Sequence, residues 1–265
     1  MSFLRGWTEK VGRGSVAALD EIGYASALLA ESLYWLLFGI SRRQPVRAAP
    51  IFSEMMEIGI RAIPIACLLL FTIGVMLAIQ GLYTLKDFGA QSQIIPASAL
   101  SVTREFAPLI IGILVAGRTG SALAARIGTM QVSQEIDALR VIGVSPVRYL
   151  VAPGLLAMLV MLPALTILGD VVGILGSALF SVPQLGVSVE AYFHQTLDVL
   201  AVGDVMQGLT KSAVFAILIT LIGCSTGFSV AGGAEGVGKA ATRAVVLSIS
   251  SLILADMVFT FFMTR

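Results

Sequence analysis

Charged residues are scarce in this chain. They make up 12% of its 265 residues, whereas a soluble domain carries about 25%. Hydrophobic residues reach 57%, and the mean hydropathy is +0.94. So few charges cannot cover a water-soluble surface, and the composition therefore indicates an integral membrane protein. The net charge of +1 excludes an extended basic surface for nucleic acid.

Cysteine and histidine are also scarce. Both cysteines, Cys67 and Cys224, lie in apolar runs, so we expect no disulfide framework. The single histidine, His194, belongs to no metal-ligand cluster or nucleophile–base pair, so we predict no metal site, no cofactor and no enzymatic activity. Residues 233–239 approach the P-loop pattern, but Ala240 replaces the hydroxyl residue that would bind magnesium. ATP, if it is used, must be hydrolysed by a partner.

Long apolar runs occur five times along the chain. About 20 apolar residues suffice for a helix to cross a bilayer, and an open chain can cross lipid only as a helix. The predicted spans are residues 62–85, 95–117, 149–180, 204–228 and 244–263. We therefore predict an all-α integral membrane protein with five transmembrane helices, whose two termini lie on opposite sides of the membrane.

Basic residues fall mostly on one side of these spans. They lie before the first span, between the second and third, and between the fourth and fifth, whereas the other side holds only Lys86 and Arg265. Cytoplasmic flanks carry the excess of lysine and arginine in membrane proteins. The N-terminus is therefore predicted to be cytoplasmic and the C-terminus to lie outside.

Residues 15–40 are apolar but are interrupted by acidic residues, and aromatic residues lie near their end. This pattern favours an interfacial helix along the cytoplasmic leaflet, with the aromatic residues and Arg42 and Arg43 at headgroup level. The alternative is an additional span. It would place the basic segment 5–13 on the outer side, against the charge rule.

Five ionisable residues interrupt the apolar spans: Arg104, Glu105, Asp170, Lys211 and Asp256. A charge at bilayer depth costs at least about 2.5–3.5 kcal/mol, so such residues are usually paired or functional. At 1.5 Å per residue, Glu105, Lys211 and Asp256 all lie about 10–14 Å below the outer face. We expect the Lys211 ammonium to bridge the two carboxylates, since an isolated ammonium in hydrocarbon is untenable.

The remaining two charges need other surroundings. Arg104 is adjacent to Glu105 and must point about 100° away, towards outer headgroups or an acid such as Asp204. Asp170 has Gly169 and Gly173 beside it, which permits close helix approach, so we expect it to face a neighbouring helix. The cluster is either a structural clamp, an element that moves during transport, or a proton relay.

Residues 132–142 form an amphipathic segment between the second and third spans. Val132, Ile136 and Leu139 share one face, and polar residues occupy the rest. A short helix displayed between two spans has little to bury by itself. Its pattern favours docking into the groove of another protein, and the alternative is a connector lying on the surface.

The chain also resembles a known family, the MlaE-type (YrbE) permeases, which are the membrane subunits of MCE-associated ABC lipid transporters. The resemblance is carried by the run TREFAPLIIGILVAGRTGSALAARIGTMQVSQEIDALRVIGVSPVRYLVAPG and by LTKSAVFAILIT and GVGKAATRAVVLSISSLILADMVFT. It extends from about residue 50 to the C-terminus. We therefore expect a cytoplasmic or interfacial region at residues 1–48 and a five-span permease domain at residues 49–265.

The resemblance implies a particular assembly. Permeases of this family are homodimers, each subunit having an N-terminal interfacial helix and five spans. A coupling helix, here about residues 132–142, inserts into a separate cytoplasmic ATPase. A periplasmic ring of MCE domains is seated above the dimer, and many complexes include a small STAS-domain protein. The residues expected to couple to the ATPase are Val132, Glu135, Ile136 and Leu139.

The resemblance also implies a cargo and a location. The cargo is phospholipid, held in an outward-facing apolar cavity between the two subunits in the bacterial inner membrane. Such transport helps to maintain the lipid asymmetry of the outer membrane. Arg104, Glu105, Lys211 and Asp256 correspond to family positions near this cavity. The expected lining residues are Val75, Ile79, Leu82, Tyr83, Phe106 and Leu109.

Two other function classes remain open at the level of sequence. One is a secondary transporter driven by protons through Glu105, Lys211 and Asp256. Five unequal spans fit this class poorly, because secondary transporters often contain inverted repeats. The other is a non-transporting membrane scaffold whose cytoplasmic helix recruits a soluble protein.

Overall fold

A computed structural model describes residues 2–39 and 48–263, and all regular secondary structure in these two ranges is helical. The α-helices are α1 Ser2–Phe38, α2 Ala48–Ile58, α3 Ile63–Lys86, α4 Ile94–Ser101, α5 Ala107–Val115, α6 Ser121–Val132, α7 Glu135–Val141, α8 Ala152–Leu185, α9 Val189–Val199, α10 Val202–Phe228 and α11 Gly233–Met263. Arg42 and Arg43, the predicted headgroup anchors, and Arg265 lie outside the described residues.

Among the described residues, five helical stretches are long and apolar enough to cross a membrane. Short 3-10 or π-helical segments join neighbouring α-helices into these stretches. The prediction of an all-α membrane protein with five spans is therefore confirmed. The stretches, numbered here as spans 1 to 5, are Ala48–Lys86, Gln91–Val132, Val147–Leu185, Val202–Phe228 and Gly233–Met263.

Spans 1 and 2 are longer than the apolar runs that predicted them. Span 1 has 39 residues and begins at Ala48, while span 2 has 42 residues and continues to Val132. The added turns contain Glu54 and Arg126, which form an ion pair between the two extensions. Hydropathy marks only the part of a helix that lies in lipid, so it does not detect polar turns that continue beyond the bilayer.

Helix α1 is one continuous helix of 37 residues and is not among the five stretches apolar enough to span. Its Leu28 is buried against the ends of other helices. Glu31 accepts a hydrogen bond from Ser145 at 2.8 Å, and Glu21 pairs with Arg243. These contacts attach α1 to the segments that precede span 3 and begin span 5. Helix α1 therefore lies on the same side of the bundle as α7.

Buried apolar side chains form three clusters along the bundle. The main cluster draws residues from all five spans. A second cluster joins Leu28 of α1 and Ile136 of α7 to nearby ends of spans 2, 3 and 4. A third packs α9 against the opposite end through Tyr192, whose hydroxyl donates to the Ile174 carbonyl at 3.2 Å. Short helices thus cover both ends of the bundle.

Spans 1 and 3 pack closely at glycine residues. A Cβ atom built on Gly74 would lie 1.9 Å from the Gly173 carbonyl oxygen, and one on Gly176 would lie 2.3 Å from the Phe71 carbonyl oxygen. Backbone therefore meets backbone, and a side chain at either position would separate the helices. Small residues allow this kind of approach in membranes, where van der Waals packing drives association.

We predict that Gly74→Ala destabilises the protein by about 1–3 kcal/mol, because the added methyl group forces the two spans apart. Denaturant titration in detergent measures this loss. Gly203→Ala is the matched control, since a Cβ at that helical position meets nothing within 4 Å. Equal stability of the two variants would contradict the close approach of spans 1 and 3.

Candidate functional site

A widened helical turn presents the charges of span 2. The segment Val102–Phe106 is π-helical, and the Ala107 amide donates to the carbonyl five residues back. Pro108 follows at once. Proline has no amide hydrogen and its ring clashes with the carbonyl four residues earlier, so the helix accommodates it by widening. Arg104 and Glu105 lie inside this turn, and their side chains leave the helix in different directions.

Two further π-helical segments also contain an arginine. Ala116–Gly120 contains Arg118, and Val147–Val151 contains Arg148. The second of these comes just before Pro153 and has the same explanation as the turn before Pro108. Single π-helical turns inside α-helices are frequent at functional sites. Each of the three π segments therefore presents an arginine from a widened turn.

The side chains of Glu105, Lys211 and Asp256, which were predicted to lie at one depth in the membrane, are in contact in the structure. Lys211 is fully buried. Its Nζ lies 2.5 Å from Glu105 Oε2 and 2.9 Å from Asp256 Oδ1. The first contact is a directed hydrogen bond, while the second is an ion-pair contact without hydrogen-bond geometry. One ammonium thus joins spans 2, 4 and 5.

A threonine completes this cluster, and the sequence analysis missed it. Thr260 Oγ1 accepts from Lys211 Nζ at 3.1 Å and lies 3.2 Å from both carboxylate oxygens of Glu105. Thr260 stands one helical turn after Asp256, on the same face of α11. That four-residue spacing is the signal that could have identified it. The four residues Glu105, Lys211, Asp256 and Thr260 are called the charge cluster below.

The charge cluster is closed on one side and open on the other. The Lys211 side chain has no exposed area, Asp256 is 15% exposed and Glu105 is 32% exposed. Two carboxylates on one ammonium leave one formal negative charge in excess. An unscreened buried charge would be costly, so exposure of the Glu105 carboxylate reduces the cost of this excess. Among the three charged side chains of the cluster, that of Glu105 is the most exposed.

Arg104 forms a second clamp beside the cluster. Its Nη2 lies 2.6 Å from Asp204 Oδ1, and its Nε donates to the same oxygen at 2.8 Å. The other carboxylate oxygen of Asp204 accepts from the Ala201 amide at 2.9 Å, which caps the start of α10. The cap fixes the carboxylate, so Arg104 connects span 2 to the start of span 4. Arg104 was expected to point either to outer headgroups or to an acid such as Asp204. In the structure it pairs with Asp204.

Asp170 stands apart from these clamps. It is 8% exposed in α8, and its Oδ1 has no hydrogen-bond partner among the described residues. The adjacent Gly169 packs against Leu70, Ala107 and Ile111 of the neighbouring spans. Asp170 is therefore enclosed by protein on this part of α8. Within the described part of the chain, neither an ion pair nor a hydrogen bond connects Asp170 to Lys211.

The predicted cavity residues separate into two groups. Ile79, Leu82 and Tyr83 line a cleft of about 620 Å³. Val75 and Phe106 are half-buried outside that cleft. Leu109 is also half-buried, and it packs against the main cluster because α5 is enclosed by spans 1, 3, 4 and 5. Six residues that were not predicted from the sequence also line the cleft: Gln80, Lys86, Gln91, Phe180, Gln184 and Leu185.

The helix between spans 2 and 3 differs from the predicted one. Helix α6 ends at Val132, and Gln134 then adopts a left-handed conformation with φ of 60°. A helix cannot continue through that backbone conformation, so α7 starts only at Glu135. Val132 is therefore the end of the preceding helix, where its side chain is 42% exposed. The predicted segment 132–142 therefore contains the last residue of α6, a two-residue turn and the shorter helix α7.

The break also changes which residues face outward. Ile136 is fully buried, where it contacts the second apolar cluster. The expectation that it faces a partner is wrong, because α7 uses this side chain to attach itself to the bundle. Leu139 is half-buried and Glu135 is exposed. The exposed apolar residues lie at the end of α7, where Val141 is 87% and Ile142 is 70% exposed.

Comparison with known proteins identifies the family. The family model described as Permease MlaE matches residues 51–262, which is most of the chain. The chain belongs to the MlaE permease family. It is therefore a transport component, as the long motifs around Arg104 and Lys211 predicted. The match begins within α2, at the start of span 1, and extends to the last turn of span 5.

Individual relatives agree with this assignment. The permease is 35% identical over 218 residues to a probable ABC transporter permease protein of Rickettsia typhi, covering 82% of this chain and 84% of the relative. It is 31% identical over 230 residues to the intermembrane phospholipid transport system permease protein MlaE of Haemophilus influenzae, covering 85% and 88%. It is 40% identical over 197 residues to the chloroplastic protein trigalactosyldiacylglycerol 1 of Arabidopsis thaliana, covering 74% and 56%.

We predict that Lys211→Met destabilises the permease by about 3–5 kcal/mol, because it leaves buried carboxylates without their cation. Methionine keeps most of the side-chain volume, so packing changes little. The matched control neutralises the whole cluster with Lys211→Met, Glu105→Gln and Asp256→Asn, and it should recover most of the loss. Denaturant titration in detergent measures both variants. A single variant as stable as the parent would show that the ammonium does not hold the spans together.

Proposed function

We propose that this chain is the permease subunit of an ABC transporter that moves phospholipid between the inner membrane and a periplasmic MCE-domain partner. The observation that carries the proposal is the membership of residues 51–262 in the MlaE family. The name of the relative from Haemophilus influenzae includes intermembrane phospholipid transport, and that of the relative from Rickettsia typhi includes ABC transporter. Transport of this kind helps to maintain outer-membrane lipid asymmetry.

The proposed energy source is a separate cytoplasmic ATPase. Its docking site is the end of α7, where Val141 and Ile142 expose apolar side chains. Exposed apolar residues at the tip of a short helix suit insertion into a groove of a partner. Because α7 is attached to the bundle through buried Ile136, a movement of its tip is transmitted to spans 2 and 3. A small STAS-domain protein on the ATPase completes the cytoplasmic side.

The proposed topology follows from the distribution of basic residues. The side that contains α1 and α7 is cytoplasmic, and the side that contains α9 and the C-terminus is periplasmic. Within the N-terminal region 1–48, helix α1 lies along the cytoplasmic leaflet, and the permease domain follows from residue 49. The ion pair between Glu21 of α1 and Arg243 of span 5 supports placement of α1 against this end of the bundle.

The proposed lipid path lies on the outer half of a homodimer. The cleft lined by Ile79, Leu82 and Tyr83 combines apolar side chains with Lys86 near its end. That combination suits acyl chains with a phosphate headgroup beside them. The open face of the charge cluster at Glu105 lies at the depth of the same leaflet. A periplasmic MCE-domain ring above the dimer would receive or deliver the lipid.

Reconstitution tests this proposal directly. The permease, purified with its co-expressed partners, is placed in vesicles with a fluorescent phospholipid, and lipid exchange with the MCE-domain partner is recorded. We expect exchange that requires ATP and stops when the ATPase carries an inactive nucleotide site. Exchange driven by a proton gradient without the ATPase would favour a secondary transporter. A bound partner with no lipid exchange would favour a scaffold.

The docking role of α7 makes a separate prediction. Ile142→Asp should lower ATPase co-purification at least about tenfold, because central apolar contacts in interfaces are worth about 2 kcal/mol or more. The membrane fold should survive, since the side chain is 70% exposed. Val189→Asp is the matched control, because it places the same charge on a 57% exposed valine of α9, at the other end of the bundle. Undiminished ATPase binding by the Ile142 variant would refute this docking site.

A further inference from the structure

A polar pocket lies between α2 and α6, on the side of the bundle that contains α7. Its volume is about 230 Å³. Two arginines and two glutamates meet there with a threonine, and two apolar residues complete the wall. The lining residues are Glu54, Glu57, Arg118, Thr119, Ala122, Leu123 and Arg126. Neither the proposed lipid cleft nor the charge cluster includes any of them.

Two of the four charges satisfy each other, and two do not. Arg126 and Glu54 form an ion pair across the pocket. Arg118 Nη1 is buried without a hydrogen-bond acceptor among the described residues. Glu57, which is exposed, likewise forms no ion pair within the described part of the chain. The pocket therefore offers one uncompensated guanidinium and one uncompensated carboxylate. A buried donor without an acceptor is costly, which favours a ligand that supplies one.

The widened turn in span 2 explains why Arg118 is available. Ser121 Oγ donates to the Gly117 carbonyl at 2.6 Å and lies 3.0 Å from the Arg118 carbonyl. Both carbonyls belong to the π-helical segment Ala116–Gly120, so the hydroxyl bonds to the backbone of the segment that contains Arg118. The arginine backbone is fixed in this way while its side chain lines the pocket.

The depth of the pocket points to lipid. Arg118 follows Glu105 by thirteen residues, which corresponds to about 20 Å along a helix. Glu105 lies about 10–14 Å below the outer face, and the hydrocarbon core is about 30 Å thick. Arg118 therefore lies at the inner edge of the hydrocarbon, where headgroups of the second leaflet begin. Ala122 and Leu123 give the pocket an apolar wall at this boundary.

We infer that the pocket between α2 and α6 binds the zwitterionic headgroup of a phospholipid from the leaflet on the α7 side. The phosphate would bind the Arg118 guanidinium and the Thr119 hydroxyl, and a primary ammonium such as that of ethanolamine would bind Glu57. A guanidinium fork matches the geometry of phosphate oxygens. The opposite charge of Glu57 favours a zwitterion over a purely anionic headgroup. This inference goes beyond the proposed function, because it assigns a headgroup site in the leaflet opposite the outward cleft.

Site-specific cross-linking tests the inference without ATP. A photoreactive amino acid at Ala122, which lines the pocket, is introduced into the permease with its co-purified partners in nanodiscs. The nanodiscs contain equal parts of phosphatidylethanolamine and phosphatidylglycerol. Mass spectrometry then identifies the captured lipid. We expect phosphatidylethanolamine to predominate, and we expect Arg118→Gln to lower capture of both lipids at least about tenfold, which corresponds to about 1.4 kcal/mol.

Three comparisons make the result specific. Glu57→Gln should lower capture of phosphatidylethanolamine while sparing phosphatidylglycerol, and Arg118→Lys should retain more lipid than Arg118→Gln because it keeps the charge. Lys239→Gln removes a cytoplasmic-side charge outside the pocket, at a residue paired with Glu235, and should change nothing. Gel filtration of each variant establishes that the complex is folded.

Two outcomes would overturn the inference. One is lipid capture that is unchanged in folded Arg118→Gln complex. The other is a parent complex that captures no lipid but binds inorganic phosphate in an Arg118-dependent manner, which would assign the pocket to a soluble anion. Both readouts are independent of lipid exchange, so failure of this inference is distinguishable from failure of the proposed transport function.

Discussion

The bundle depends on one buried ammonium. Lys211 belongs to span 4, but its partners come from spans 2 and 5. An ion without partners in such surroundings costs several kcal/mol, so these three helices are stable together only when they meet at this depth. The Arg104–Asp204 clamp, which involves the neighbouring residue in span 2, adds a second connection between spans 2 and 4. Polar contacts therefore set the relative height of helices that apolar packing alone would leave free to slide.

The two ends of the bundle are connected through span 2. It contains Glu105 in one widened turn, Arg118 in another, and the extension that leads to α7. In the proposed transporter, a partner that moves the tip of α7 also acts on span 2, and span 2 contributes Glu105 to the charge cluster. The proposed headgroup pocket lies between these two points. We therefore propose that span 2 couples events on the two sides of the membrane.

Much of the fold could be predicted from the sequence, because lipid allows few solutions. Apolar length identified five spans, and depth arithmetic brought Glu105, Lys211 and Asp256 to one level. What could not be predicted depends on local backbone geometry and tertiary contact. The left-handed Gln134 divides the expected coupling helix and buries Ile136. Periodicity cannot detect such a break, since each residue around it is compatible with a helix. Thr260 was missed because a single hydroxyl in an apolar helix usually bonds to its own backbone.

The coupling free energy between Lys211 and Asp256 measures whether the buried ammonium holds the spans together. A double-mutant cycle with Lys211→Met and Asp256→Asn, measured as free energies of unfolding in detergent, isolates the interaction between the two side chains. Residues in contact within one charge network show coupling of about 0.5–3 kcal/mol. We predict a favourable coupling of at least about 1 kcal/mol, because both side chains are largely withdrawn from solvent. Additive effects, with no coupling beyond experimental error, would contradict it.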